Sequence, residues 1–394
     1  MKRSGARAGL VLAAVTVAVG VWLTGALRAT VAPHLPTPKL TLGAYAAPRT
    51  VADGARWQAF LRRSDTTAVN AVVLDLVTPA GVHYRSGNAL ARTIAAPSTY
   101  DLATRVADAH AHHLFVIGRL VLARNPRLVR ERPAWAIRAP HGRRWTDAAG
   151  RSAIDVTNED ACEFAARIAR EAARAGVDEV MLDGLEVPPA DGRARVLAAT
   201  RHGRGARAAV TECARTVAQA VQRAQARLGI AVPARLCTDV TGAGVNGQRW
   251  EDLALVADRL SPELYPDAIA APGSRRRMSA QPYQAVSAVV ALCYTRNLRL
   301  IRALNGRPVR VARIEPWLQA YSARGVSYGP RLLGEELRAL RDHGVGNALL
   351  WNGASDYDRF VPVLRQAMAG RVVAYNPTPA QWARASRAPR PADD

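Results

Sequence analysis

The stretch Gly176-Val177-Asp178-Glu179-Val180-Met181-Leu182-Asp183 decides how this chain folds. After its polar entry it is a short apolar run that ends on a carboxylate. Such a run reads as a strand covered on both faces, since a strand with one wet face alternates apolar and polar residues instead. Just upstream, residues 159–175 place Phe164, Ala165, Ile168, Ala169 and Ala172 at helical spacing among charges, so a helix leads into that strand. Outward in both directions the alternation recurs. Eight apolar runs stand at 40–45, 71–76, 114–120, 179–183, 235–240, 259–264, 309–315 and 348–351, with helical patterns between them and after the last. Eight such units in order predict an α/β fold, a closed (β/α)8 TIM barrel, over residues 40–372.

A barrel of this kind carries its site where the strands end. Polar residues gather at those ends: Tyr45, Asp75, Arg119, Asp183 with Glu186, Asp239, Glu263 with Tyr265, Glu315 with Trp317 and Gln319, and Trp351 with Asn352. The loop after the third run, 121–156, is long and reads as a rim with exposed aromatics, among them Trp135 and Trp145.

The ends of the chain differ from its middle. Lys2, Arg3 and Arg7 precede an uncharged stretch, 8–27, rich in Val, Leu and Ala. About 20 apolar residues are enough to cross a bilayer as a helix, and the preceding cations predict an N-terminus kept in the cytoplasm. Residues 1–29 are therefore expected to form a signal anchor or a cleaved signal peptide, which puts the barrel in the cell envelope or outside the cell. A proline-rich linker, 30–39, and a Pro- and Arg-rich tail, 373–394, flank the barrel.

Composition narrows the partners. With 49% hydrophobic residues in 394, the chain can build an ordinary core and is neither disordered nor fibrous. Its net charge is +22, yet all but two of its 54 basic residues are arginines, scattered through alanine-rich helices, and no nucleic-acid-reading motif accompanies them. No nucleic-acid partner is expected; attraction to anionic lipid or polymer is the milder consequence. His110, His112 and His113 put only one pair on a shared helix face, so no metal site is expected. Cys162, Cys213, Cys237 and Cys293 match no zinc spacing and read as small apolar fillers, although an exported protein could oxidise a pair. No phosphate-binding glycine motif calls for a nucleotide, and no cofactor is expected.

Taken in order, several segments resemble a bacterial glycoside hydrolase domain family of (β/α)8 barrels related to the α-amylase-like ones. They are Asn70-Ala71-Val72-Val73-Leu74-Asp75-Leu76, Ile117-Gly118-Arg119-Leu120-Val121 with Asn125-Pro126, Trp145-Thr146-Asp147, and the stretch ending at Asp183. Further on come Ser261-Pro262-Glu263-Leu264-Tyr265-Pro266, Glu315-Pro316-Trp317-Leu318-Gln319 and Leu349-Leu350-Trp351-Asn352. The resemblance runs from about Leu42 to Ala369 and implies glycoside hydrolysis. It also exposes departures: Glu186 stands where the family carries arginine, Glu263 where it tends to methionine, and Glu315 where it tends to arginine. Each adds negative charge to the expected mouth, which would alter substrate preference or catalytic roles, or mark a member without activity.

Glycoside hydrolysis needs one carboxyl that keeps its proton and one that is ionised. Asp183 is expected to serve as nucleophile or base and Asp239 as acid, with Glu186, Glu263 and Glu315 raising a neighbour's pKa and Arg119 holding another carboxylate ionised. A capping role, or an ion pair of Asp183 with Arg119, is the structural alternative for these aspartates. Tyr45, Tyr265, Trp317 and Trp351 suit stacking on a pyranose, and Gln319 and Asn352 suit its hydroxyls; Asp75 would complete the lining. The expected partner is an envelope or extracellular polysaccharide. A silent glycan-binding barrel and an envelope scaffold for anionic polymer are the other readings.

Overall fold

The computed structural model describes residues 33–139, 142–147, 149–187, 205–239, 241, 244 and 246–367. The expected anchor, the start of the linker and the tail lie outside the described residues, and no helix among the described residues is long and apolar enough to cross a membrane.

Eleven strands form one sheet: β1 (Leu42–Ala46), β2 (Ala71–Thr78), β3 (Gly81–Tyr84), β4 (Ala95–Tyr100), β5 (Phe115–Val121), β6 (Glu179–Asp183), β7 (Arg227–Pro233), β8 (Arg259–Glu263), β9 (Arg313–Ile314), β10 (Trp317–Gln319) and β11 (Ala348–Trp351). Eight of them, β1, β2, β5, β6, β7, β8, β10 and β11, pair in parallel around a ring, which closes because β1 pairs with both β2 and β11. The strands are buried along nearly their whole length, as a ring with helices outside requires. Inside it, Ala71, Val73, Phe115, Ile117, Met181, Ala231 and Leu349 form a core of their own.

The helix Glu159–Arg174 forms where expected. Asn158 caps it by accepting from Ala161 N, Glu159 and Asp160 complement the dipole in its first turn, and a stripe of alanines with Phe164 and Ile168 is buried on the sheet.

Four expectations are corrected. The fifth barrel strand is β7, not 235–240. The preceding helix stops at Gln222, Gln225 turns the chain at φ 63°, and Ala234–Leu236 is a short 3-10 turn beyond the strand. The seventh is split, because Pro316 has no N–H to give to a ladder: Arg313–Ile314 pairs with β8 before it and Trp317–Gln319 pairs with β8 and β11 after it. The long loop does not expose its aromatics; Trp135 and Trp145 are buried, the first tilted against Phe164 and the second beside Ile137 and Ala153. The cysteines are no mere fillers, for Cys162 pairs with Cys213 and Cys237 with Cys293. An unexpected addition, the hairpin of β2 and β3 with β4 beside it, turns at Gly81, whose φ of 118° and closeness to Ile94 O leave no room for a side chain.

Candidate active site

Asp75 lies in β2, Arg119 in β5, and Asp183 and Glu263 are the last residues of β6 and β8, so four parallel strands carry charged groups to one end of the ring. Arg119 is the hub. Its Nη1 lies 2.7 Å from Asp75 Oδ1, while Nε and Nη2 both lie 2.7 Å from Asp183 Oδ2. Two nitrogens on one oxygen leave Oδ1 of Asp183 as the oxygen open to a ligand. Asp75 is buried and accepts a second hydrogen bond, from the Tyr45 hydroxyl, while the Tyr100 hydroxyl donates to its backbone carbonyl. Burial and the adjacent Asp75 carboxylate raise the Tyr45 pKa well above the usual phenol range, so Tyr45 stays a donor.

Above this network lies an open cavity of about 260 Å³, lined by Arg119, Asp183, Gly184, Glu186, Arg124, Pro233, Arg235, Gln248 and Glu263. Burial pushes the Glu263 carboxyl up to about 7, and the negative charge of Asp183 adds to the shift. Two carboxyls on one cavity thus meet different surroundings: burial draws Glu263 toward the acid form, and Asp183 is held by the Arg119 guanidinium. Glu186, at the rim, accepts from Arg124 at 3.1 Å and from the Asn246 side chain at 2.9 Å, so its charge is already answered.

The remaining expected residues divide. Tyr265 stands beside the site without lining the cavity: it is half-buried, near the charges of Glu263 and Asp183, and edge-on to Tyr321. Trp351 is half-buried, but Tyr45 stacks on it at 4.2 Å and Arg119 sits over its ring at 5.0 Å, so protein already meets its faces. Tyr45 and Trp317 are buried in the ring's interior core and offer no stacking face. Gln319 is fully buried, its amide spent on Asp267 N and Tyr321 O, and Asn352 spends its own on Ala320 O and Asp356 O. Both hold loops rather than a ligand.

Two acids move further. Asp239 does not end a strand; it follows β7 by a turn and accepts from Thr241 N, Thr241 Oγ1 and Gly244 N. Those hydrogen bonds, the Thr241 side chain first, lower its pKa, the opposite of what a proton donor needs. Glu315 lies at the other end of the ring, fully buried with Glu179 around Arg259, at 2.9 and 3.1 Å from its Nη1. Arg124, Arg235, Asn246 and Gln248 are the contributors that sequence reading missed. Arg124, Asn246 and Gln248 come from loops, where neither periodicity nor strand position marks a residue, and Arg235 lies in the 3-10 turn beyond β7 that the sequence pattern presents as the start of a strand.

Among the described residues no group of three or more His, Cys, Asp or Glu side chains is placed to hold a metal ion.

A family model described as "Putative glycosyl hydrolase domain" matches residues 43–357 of this chain. A search of curated proteins finds no match. Among solved structures, the chain is similar to the glycoside hydrolase domain of PgaB (BpsB) from Bordetella bronchiseptica, with a TM-score of 0.60, 14% identity, and 84% of this chain and 99% of that one covered. It is similar to alpha-L-fucosidase isoenzyme 2 from Paenibacillus thiaminolyticus, with a TM-score of 0.55, 12% identity, and coverage of 86% and 50%. The alpha-galactosidase TtGalA from Thermus thermophilus is a third, with a TM-score of 0.53, 15% identity, and coverage of 88% and 64%. At these identities the likeness is one of fold.

Proposed function

This chain belongs to the family described as the putative glycosyl hydrolase domain, and from that membership we propose that it hydrolyses a glycosidic bond of an envelope or extracellular polysaccharide, with Asp183 and Glu263 as the carboxyl pair. The observation that carries the reading is that both line one open cavity, Glu263 with its carboxyl pushed up to about 7 by burial and Asp183 held by the Arg119 guanidinium. Glu263 gives its proton to the departing glycosidic oxygen as the bond to the anomeric carbon breaks. Asp183 acts on the anomeric carbon, directly or through a water, and water supplies the new hydroxyl. Glu263 takes over the donor role first expected of Asp239, whose carboxylate is committed to its own turn. Arg119 is a positioning residue that fixes Asp183 against Asp75. Tyr265 and Tyr321 are the aromatic surface for the sugar.

Export is part of the same proposal. The basic residues before an uncharged stretch at 8–27 support it, as do two disulfides, which persist in oxidising compartments.

The test is release of reducing ends by the purified full chain from a panel of bacterial exopolysaccharides. Asp183→Asn and Glu263→Gln should each lower turnover by about 10²–10⁴-fold while glycan binding persists. Turnover unchanged in both variants would sink the assignment. Binding without hydrolysis by the unaltered chain, across the panel, would favour the silent glycan-binding reading.

A further inference from the structure

The chain enters its fold at the end of the ring opposite the cavity. Leu35 N donates to Asp178 Oδ1 at 2.6 Å, His34 Nε2 lies 2.9 Å from Ala224 O, and Arg227 Nε donates to Thr37 Oγ1. Asp178 and Ala224 precede β6 and β7, and Arg227 starts β7, so these contacts lie on the underside, where the Leu35 side chain packs against the interior core. Between Leu27, the end of the uncharged stretch, and Pro33 lie five residues. Fully extended, that connection spans roughly 20 Å, too little to travel around a barrel to its mouth.

Beside this entry point the underside bears an open groove of about 470 Å³, lined by Gln222, Gln225, Arg227, Leu255, Asp258 and Arg310. The neighbouring turn, residues 305–310, is exposed throughout and carries Arg307, Val309 and Arg310. Leu255 and Val309 are 42% and 45% exposed, two of the three large apolar side chains left in water among the described residues. Cations surround them. Arg227 and Arg310 share a single carboxylate, Asp258, at 3.4 and 2.8 Å, which leaves one positive charge unanswered. Arg313 is held below the usual guanidinium range by burial and by the crowding of Arg259, Arg227 and Arg310.

We propose that this underside docks on an anionic bilayer surface, arginines on the headgroups and Leu255 with Val309 at the apolar boundary, so that the cleft faces away from the membrane. The proposal rests on reading residues 8–27 as a membrane anchor, which supplies the short tether. Each arginine beside an anionic surface strengthens such docking by roughly fivefold, about 1 kcal/mol. The net charge of +22 disfavours a second copy of the chain as the occupant.

The test is amide hydrogen exchange on the full chain reconstituted into phosphatidylcholine vesicles with and without phosphatidylglycerol, at low and high salt. Exchange across 305–310 and 255–258 should slow several-fold only with phosphatidylglycerol and recover in high salt. Arg307→Glu combined with Arg310→Glu should abolish that protection, and the matching pair of lysine substitutions should keep it. Both positions are exposed, so the fold tolerates the changes, which an unaltered melting temperature verifies. Retention on both vesicle types with protection indifferent to lipid charge leaves the anchor standing and overturns the docking. Failure to stay on either vesicle overturns both. Protection that grows with protein density and ignores lipid charge identifies a second copy and overturns the proposal. Hydrolysis is not the readout, so the glycosidase reading stands or falls separately.

Discussion

Glu263 and Asp183 are both carboxylic acids at strand ends, and their surroundings separate them. Asp183 has a guanidinium on one oxygen; Glu263 is raised to about 7 by burial and by the charge of Asp183. A proton donor works only while protonated, so the rate should fall as pH rises through about 7, and a pH-rate profile measures that limb. Glu263→Gln should remove the limb along with most of the activity. Tyr45 is a subtler case. Its hydroxyl donates to a buried Asp75 that also answers Arg119, so Tyr45→Phe leaves that carboxylate one donor short. The expected cost is about 1–3 kcal/mol by denaturant unfolding, with kcat falling more than KM rises, because Arg119 loses its fixed partner.

Among the elements, β7 shows what composition hides. The helix before it is rich in alanine and arginine, and so is the segment up to Arg227, so helical propensity continues past the point where the helix stops. The turn is made by Gln225 at positive φ, a residue type that announces no turn. A helix read on to Leu228 displaces the strand to 235–240 and, with it, promotes Asp239. By contrast, β6 is legible in full, since a glycine precedes it and an aspartate closes it. Gly229 in β7 is required for space, because a Cβ there would lie 2.4 Å from Glu179 Oε1, inside a buried ionic cluster. Gly229→Ala should destabilise by about 1–3 kcal/mol, checked by thermal or denaturant unfolding. The disulfides act at the same scale. Cys162–Cys213 ties the helices on either side of β6, and Cys237–Cys293 ties the turn after β7 to the helix Pro282–Ala303. Each closes more than 50 residues of chain, worth about 4 kcal/mol in the chain-entropy account. Reduction under native conditions should therefore lower the melting temperature markedly.

For the whole molecule, charge is distributed between two ends. The mouth carries Asp75, Arg119, Asp183 and Glu263; the underside interior carries Glu179, Arg259 and Glu315, all buried. One cation facing two carboxyls cannot satisfy both as anions. Burial raises Glu179 to about 8 and raises Glu315 too. A carboxyl whose folded pKa lies above its unfolded value favours folding while it is protonated, so stability should decline as pH climbs from the ordinary carboxylate range toward about 8. Denaturation midpoints measured across that range test it. Arg259→Met, which strands both carboxyls without a counter-charge, should cost about 3–5 kcal/mol near pH 8 and less at pH 5.

The alternation of strand and helix was readable from the chain alone, because burial on both faces and helical periodicity are written within five to fifteen consecutive residues. So was the convergence of Tyr45, Asp75, Arg119 and Asp183, each at or near the end of a strand that the apolar runs locate. Which carboxyls share a cleft was decided only by the closed ring. Glu263 is in register with Trp317, while Arg259, four residues earlier on the same strand, is in register with Arg313 at the opposite end. Glu315 lies just two residues before Trp317, yet the break at Pro316 leaves it on the Arg259 side. Strand register and stagger around a ring are long-range properties, and a shift of a few residues moves a charge from the mouth to the base.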